Sequence, residues 1–215
     1  MIDPQCPPPH PLHSPDRREA LAWVIRDIHQ KGWATGTGGN FSAVLQPDPL
    51  SLLMAPSGVD KGLVQAADLI TVDDQGHVTA GSGKASAETL LHLAIVRATG
   101  AGAVLHTHSV WNTVLSQWAA RDGQVVLTGY EMLKGLDGIT SHTATVTIPL
   151  WPNSQDMAAV SAEIPALLTL DPAPYGLLLA GHGLYTWGAT LFQARRHLEI
   201  LEFLLEVQYR MLCLP

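Results

Sequence analysis

Cysteine is scarce in this sequence, which contains only Cys6 and Cys213 among its 215 residues. The two lie almost at opposite ends of the chain, so they lack both the number and the spacing of a disulfide framework or a thiolate zinc site. This scarcity favours nitrogen ligands for any bound metal ion. It also fits a reducing compartment, and we expect a cytoplasmic protein.

Basic residues and long apolar runs are also in short supply. Twelve Lys and Arg stand against nineteen Asp and Glu, a formal charge of −7, which repels nucleic acid and anionic membranes at long range. No segment approaches eighteen uninterrupted apolar residues, and the N-terminus lacks the basic stretch and apolar run of a secretion signal. We therefore expect a soluble protein with neither a nucleic-acid nor a membrane partner. A small phosphate ester is still compatible with this charge, because a local cluster of N–H groups outweighs a diffuse field.

Apolar residues, by contrast, make up 47% of the chain and charged residues 14%, which is typical of a well-packed globular protein. Residues 1–13 are rich in Pro and His and are predicted to form a disordered tail without chemistry. We expect residues 14–215 to form a single domain. Strands and helices mix in it without a regular βαβα alternation, which predicts an α/β fold with a mixed sheet covered by helices.

Local signals set the expected ends of several elements. Ser14 is predicted to cap the first helix, and Pro149 is predicted to terminate a strand that begins at Ala144. A long closing helix is expected from Thr190 to about Met211, where apolar residues recur with a period near 3.6.

Three histidines form the strongest candidate site. His106 and His108 lie two apart on a predicted strand, so both imidazoles point to one face. His182 lies between two glycines at the end of another apolar strand, where a tight turn can bring its ring to a neighbouring strand. Three neutral nitrogens leave one coordination position open, as in catalytic zinc sites, although Mn, Fe or Co could substitute. The alternative is that these are ordinary half-buried, hydrogen-bonded histidines.

Two loops are candidates for binding a phosphate group. Residues 36–42 contain Gly38, Gly39 and Asn40, and glycines allow successive N–H groups to turn toward an anion. The alternative for this segment is an ordinary tight turn. Residues 55–61 offer a hydroxyl, a backbone N–H and a cation, and a further serine near a helix N-terminus adds a second hydroxyl. The candidates here are Ser57, Gly58, Lys61 and Ser86.

Two carboxylates are candidate catalytic groups. Glu88 lies on the first turn of a predicted helix, where its alternative role is to stabilise the helix dipole. Glu131 lies in the run YEMLKG, where its alternative role is a surface charge paired with Lys134. Only one of the two is needed for acid/base chemistry.

The motifs GTGGNFS, APSGVDKG, SAE, HTHS and HGLYTWG, in this order, resemble the zinc-dependent class II aldolase and adducin family from about residue 17 onward. The resemblance implies a three-layer α/β/α sandwich around a mixed, mostly antiparallel sheet. It implies a homotetramer with active sites between subunits and a small phosphorylated keto-sugar as substrate. It also assigns the zinc ligands to His106, His108 and His182, and the phosphate contacts to Asn40, Ser57, Gly58 and Ser86.

Within that family, the stretches YEMLKGL, SHTATVTIPLWPNSQD and ARRHLEILEFL resemble the branch of lyases that dehydrate such a sugar in methionine salvage. In the aldolases the acid/base carboxylate follows two serines, whereas here the triplet is Ser86-Ala87-Glu88. The dehydratase resemblance assigns the acid/base role to Glu131 and leaves Glu88 in reserve. The alternatives are a class II sugar-phosphate aldolase, a pentulose-phosphate 4-epimerase on the same fold, or a non-catalytic interaction module like the adducin head.

Overall fold

The computed structural model describes residues 10–215. Within these residues, the chain forms six α-helices that are separated by strands and short 3-10 turns. Helix α1 begins after Asp16, whose side chain accepts a hydrogen bond from the backbone N–H of Arg18, and α6 begins after Thr190, which caps it in the same way. The helices are α1 (Arg17–Gln30), α2 (Thr89–Thr99), α3 (Val110–Trp118), α4 (Met157–Glu163), α5 (Pro165–Leu168) and α6 (Leu191–Leu212).

Nine strands within the same part of the chain form one sheet in the order β4-β3-β2-β1-β5-β9-β8-β7-β6. Every neighbouring pair is antiparallel except β7 and β8, which are parallel. The strands are β1 (Asn40–Pro47), β2 (Leu50–Met54), β3 (Ile70–Val72), β4 (Val78–Ala80), β5 (Ala103–Thr107), β6 (Gln124–Thr128), β7 (Thr145–Trp151), β8 (Gly176–Leu179) and β9 (Gly183–Gly188).

Helices cover both faces of the sheet, and each face has its own apolar core. Residues from α1, α3 and α6 pack on one face, and residues from α2, α4 and α5 pack on the other. Successive residues of β5 alternate between the two cores, since Leu105 belongs to the first and Val104 to the second. The prediction of an α/β/α sandwich around a mixed, mostly antiparallel sheet is confirmed.

The structure changes two of the expected boundaries. Asp16, and not Ser14, caps α1, and the Ser14 hydroxyl instead accepts from the backbone N–H of Asp16. Strand β7 continues through Pro149 to Trp151, and Pro149 lies opposite Gln124 of β6 in the sheet. A proline removes one donor without breaking the strand here, because the next N–H, that of Leu150, donates to the carbonyl of Gly123.

The predicted tail overlaps the described residues only at positions 10–13. There, Pro11–His13 form a 3-10 turn and Leu12 is buried in the first core. An apolar side chain gains by burial even in a proline-rich segment, which accounts for the local structure at these four positions. The disordered tail over residues 1–13 stays a prediction. The remaining nine positions lie outside the described residues. Among residues 10–215, we find no helix with the length and apolarity that crossing a membrane requires.

Candidate metal centre

The sheet order places the three histidines at the carboxyl end of the central strand, β5. Strand β5 lies between β1 and β9, and within it His106 pairs with Asn40 on one side and Tyr185 on the other. His108 follows directly after the end of β5. His182 lies in the tight turn between β8 and β9, which Gly181 opens with a φ of 62°. The turn therefore returns the chain beside the end of β5.

The three imidazoles converge on one point. Nε2 of His106 lies 2.7 Å from Nε2 of His108 and 3.3 Å from Nε2 of His182, and the ligand atoms of all three lie within 4.8 Å of one another. A tetrahedral zinc ion with bonds of about 2.1 Å separates its nitrogen ligands by about 3.4 Å. The donor set and its spacing therefore fit a first-row divalent ion.

The surroundings of His106 support the same use of its nitrogen. Its Nδ1 donates to the carbonyl oxygen of Leu184 at 3.0 Å, which leaves the lone pair of Nε2 directed at the other two rings. Its ring stacks on Tyr185 with centroids 3.8 Å apart. Burial, together with the like charges of His108 and His182, holds the pKa of His106 well below its ordinary value. His106 is therefore a neutral base at pH 7, as metal ligation requires.

Two glycines are needed because the backbone approaches the histidines closely. A Cβ at Gly183 would lie 2.2 Å from the carbonyl oxygen of Thr107 and 2.9 Å from ring atoms of both His106 and His108. A Cβ at Gly38 would lie 2.9 Å from Nδ1 of His108. Any larger residue at these positions would displace a ring.

Glu88 is the carboxylate beside the triad. Its Oε1 lies 3.1 Å from Nε2 of His182, and its Oε2 lies 3.7 Å from Nε2 of His106. The side-chain amide of Asn40 donates to Oε2. Burial by itself raises the pKa of Glu88, but the hydrogen bond with His182 and the charges of the nearby histidines outweigh it and lower the pKa to about 2. Glu88 is therefore ionised and borders the same space as the three nitrogens.

The predicted phosphate-binding residues lie on loops that are tied to one another. Lys61 is buried, and its Nζ donates to the carbonyl oxygens of Thr37 and Val59 at 2.9 and 3.1 Å. It therefore links the glycine-rich loop to the second loop instead of extending freely toward a ligand. Ser57 is exposed, but its backbone N–H donates to the carbonyl of Lys84.

The other predicted phosphate-binding residues differ in their exposure to solvent. Gly58 is exposed in the second loop with a φ of 75°, so its N–H direction depends on a conformation that favours glycine. Gly39 is buried behind the triad, with a φ of 78°. The hydroxyl of Ser86 accepts from the backbone N–H of Glu88 at 3.2 Å, which places it at the start of α2.

Glu131 lies elsewhere on the surface. It begins a 3-10 turn over Glu131–Gly135, and its exposed side chain forms ion pairs with Lys134 and His142. Within residues 10–215, no hydrogen bond or ion pair joins it to the triad. The structure therefore brings Glu88, and not Glu131, to the histidines of the same chain.

Sequence reasoning missed one buried acid. Glu202 of α6 is fully buried and accepts hydrogen bonds from four side chains around the end of β5. Its position offered a signal, because it lies four residues after Leu198 on the apolar face of the helix. An acid on such a face needs partners in the core.

The protein is thus a mixed sheet between two helical layers, with three imidazoles that converge at the end of its central strand as a candidate metal site. The sequence profile described as Class II Aldolase and Adducin N-terminal domain matches residues 19–209. The chain belongs to this family.

Several curated relatives share most of the chain. It is 44% identical over 188 residues to the methylthioribulose-1-phosphate dehydratase of Sorangium cellulosum, covering 86% of this chain and 88% of the relative. It is 47% identical over 197 residues to the protein of the same name from Pectobacterium atrosepticum, covering 90% and 94%.

Solved structures show the same fold. The YgbL protein of Escherichia coli superposes with a TM-score of 0.75 at 29% identity, over 88% of this chain and 86% of that one. The L-fuculose-1-phosphate aldolase of Thermus thermophilus superposes with a TM-score of 0.71 over 91% and 96%, and at 24% identity it supports the fold alone.

Proposed function

We propose that this chain is a methylthioribulose-1-phosphate dehydratase, a hydro-lyase that converts 5-methylthioribulose 1-phosphate to 2,3-diketo-5-methylthiopentyl 1-phosphate in methionine salvage. The observation that carries the proposal is the convergence of three imidazole nitrogens beside one ionised carboxylate. The relatives of the same name, at 44% and 47% identity over most of their length, support the substrate. The family resemblance of the motifs supports the reaction class.

We propose zinc as the resident ion, held by His106, His108 and His182. An all-nitrogen set of three ligands suits zinc and leaves one position for a substrate oxygen. When bound, zinc would act as a Lewis acid that polarises the C2 carbonyl of the keto-sugar.

The reaction removes the C3 proton and the C4 hydroxyl as water, and the resulting enol becomes the second ketone. We assign proton donation to the departing hydroxyl to Glu131, on the resemblance of the EMLKG run to the dehydratases. Glu88 has a different role in this proposal. It is ionised and hydrogen-bonded to Asn40 and His182, so it orients the site and remains the alternative base.

The phosphate group is assigned to the two linked loops and the start of α2. The backbone of Gly38, Gly39 and Gly58 and the side chains of Asn40, Ser57 and Ser86 would surround it. Lys61 acts by holding the two loops together, because its ammonium group already donates to a carbonyl in each. A buried cation here also favours an anion nearby.

We further propose that residues 14–215 act as one domain in a cytoplasmic homotetramer with active sites between subunits. The surface position of Glu131 supports an interfacial site, because a catalytic role for this carboxylate then requires a neighbouring chain. A zinc content of one per chain is part of the same proposal.

The test is product analysis with purified, zinc-loaded protein. We expect 5-methylthioribulose 1-phosphate to give a product lighter by one water, and a chelator to stop its formation. Carbon–carbon cleavage would instead identify an aldolase, and a product of unchanged mass an epimerase. No conversion of any sugar phosphate by the metal-loaded protein would support a non-catalytic module.

A further inference from the structure

Glu202 is a buried carboxylate behind the proposed metal centre. It lies on α6, is 0% exposed, and accepts hydrogen bonds from neutral groups alone. Ser109 and Trp111 donate to Oε2, each at 2.6 Å, and Asn112 donates to Oε1 at 3.0 Å. Thr107 also donates to Oε1. Among the described residues no cation pairs with Glu202, so these four donors alone compensate its loss of water.

The donors lie on the segment that carries two of the histidines. Thr107 stands between His106 and His108, and Ser109 follows directly and caps α3 by accepting from the N–H of Asn112. The side chain of Asn112 also donates to the carbonyl and the hydroxyl of Thr107, at 3.4 and 3.3 Å. The residues that follow β5 are thus hydrogen-bonded to α6 through the carboxylate of Glu202.

The same network reaches the turn that carries His182. The hydroxyl of Thr113 lies 3.3 Å from the side-chain oxygen of Asn112 and donates to the carbonyl of His182 at 3.2 Å. One helical turn later, Ser116 accepts from the backbone N–H of Gly181 at 3.0 Å. Helix α3 is therefore hydrogen-bonded both to the segment that carries His106 and His108 and to the turn that carries His182. Glu202 holds the first turn of that helix in place.

We propose that Glu202 is a positioning residue for the metal centre, which sets the separation of the His106–His108 segment and the His182 turn before the ion binds. The inference rests on the proposed metal site. A buried carboxylate held only by neutral donors is costly, and the groups that it orders are those between and beside the three histidines. Without this carboxylate, the three imidazoles should no longer be held in the geometry that the ion requires. Binding must then rearrange them, which lowers the affinity of the protein for the ion.

The decisive experiment measures zinc affinity in metal-free protein by competition with a chromophoric chelator. We compare wild type with Glu202→Gln, and with Glu206→Gln as a matched change on the same helix, where Glu206 pairs with Arg210 near the surface. We expect Glu202→Gln to bind zinc about 10- to 100-fold more weakly and Glu206→Gln to match wild type. The visible spectrum of bound Co²⁺ should also change in Glu202→Gln, since it reports the ligand geometry.

A second variant keeps the test decisive if Glu202→Gln does not fold. Thr113→Val removes the hydroxyl that reaches the carbonyl of His182 and preserves the shape of the side chain. We expect about a tenfold loss of zinc affinity from it. Wild-type affinity and an unchanged Co²⁺ spectrum in the folded variants would overturn the inference alone. A wild-type protein that binds no metal would overturn the proposed function and the inference together.

Discussion

At the scale of single residues, the two candidate carboxylates have different surroundings. Glu88 is largely buried and bonded to Asn40 and His182, which makes it an acceptor held in one place. Glu131 is exposed, and hydrogen bonding with Lys134 is the main reason that its pKa lies below the ordinary value. The contacts of Glu131 are on the surface, whereas those of Glu88 join it to the proposed metal ligands, so we expect different phenotypes when each carboxylate is replaced.

Replacing each carboxylate by glutamine tests this division of roles. We expect Glu131→Gln to keep its zinc and to lose turnover by about 10²- to 10⁴-fold, the usual contribution of a general acid. We expect Glu88→Gln to weaken zinc binding by about tenfold, because it disturbs a partner of a ligand. Metal content and kcat of each variant are the measurements.

Glu163→Gln is a suitable control, because Glu163 is an exposed carboxylate at the end of α4. It should match wild type in both measurements. A fully active Glu131→Gln beside a zinc-loaded but inactive Glu88→Gln would move the acid/base role to Glu88.

At the scale of elements, α2 is coupled to the sheet through a buried histidine. Nδ1 of His92 lies 2.7 Å from the hydroxyl of Ser42 on β1, and its ring meets Tyr185 of β9 edge-on, with centroids 5.8 Å apart. Tyr185 in turn stacks on His106. Burial lowers the pKa of His92 to about 4 from an ordinary value of 6.5.

This depressed pKa makes stability depend on pH. Between about pH 6.5 and 4, the unfolded chain binds a proton at His92 that the folded chain does not, so stability falls as the pH falls through this range. The loss from His92 is complete below the folded pKa and amounts to about 3 kcal/mol. Urea unfolding of metal-free protein across this range should show a shallower pH slope for His92→Gln than for wild type. His77→Gln, a change at an exposed histidine, should keep the wild-type slope, and equal slopes in all three proteins would contradict the assignment.

The elements also show what the sequence could and could not predict. The closing helix α6 was predictable, because its apolar residues repeat with a period of 3.6. The strand β5 was predictable too, because it is an apolar run that leads into the motif His106-Thr107-His108. Strand β4 was missed, since all three of its residues are exposed and no apolar face marks it. The Glu202 network was missed because its donors lie about 90 residues away in the sequence, a separation that only the fold closes.

At the scale of the whole molecule, Glu131 does not contact the triad of its own chain. If Glu131 is catalytic, it must therefore serve the triad of a neighbouring subunit. Closed symmetric assemblies are the usual form of soluble oligomers, and an interfacial site takes its groups from two copies. Motif spacing does not say which copy would supply a residue, so the sequence could not predict whether Glu131 serves the triad of its own chain or that of another.

Mixing two inactive variants tests the shared site. Co-expressed Glu131→Gln and His106→Ala should recover activity in about a quarter of the sites, because random assembly pairs an intact triad with an intact carboxylate in that fraction. His106→Ala mixed with His182→Ala should recover none, since both changes damage the same triad of one chain. Recovery by neither mixture would contradict a site shared between subunits.

In the proposed metal centre, three imidazoles of one chain hold one divalent ion. The most direct measurement is zinc content per chain after dialysis, for wild type, His106→Ala and His77→Ala. We expect one equivalent in wild type and in His77→Ala, whose ring lies on the surface, and none in His106→Ala, because two remaining nitrogens do not hold the ion through dialysis. Full zinc content in folded His106→Ala, or none in wild type, would contradict the claim.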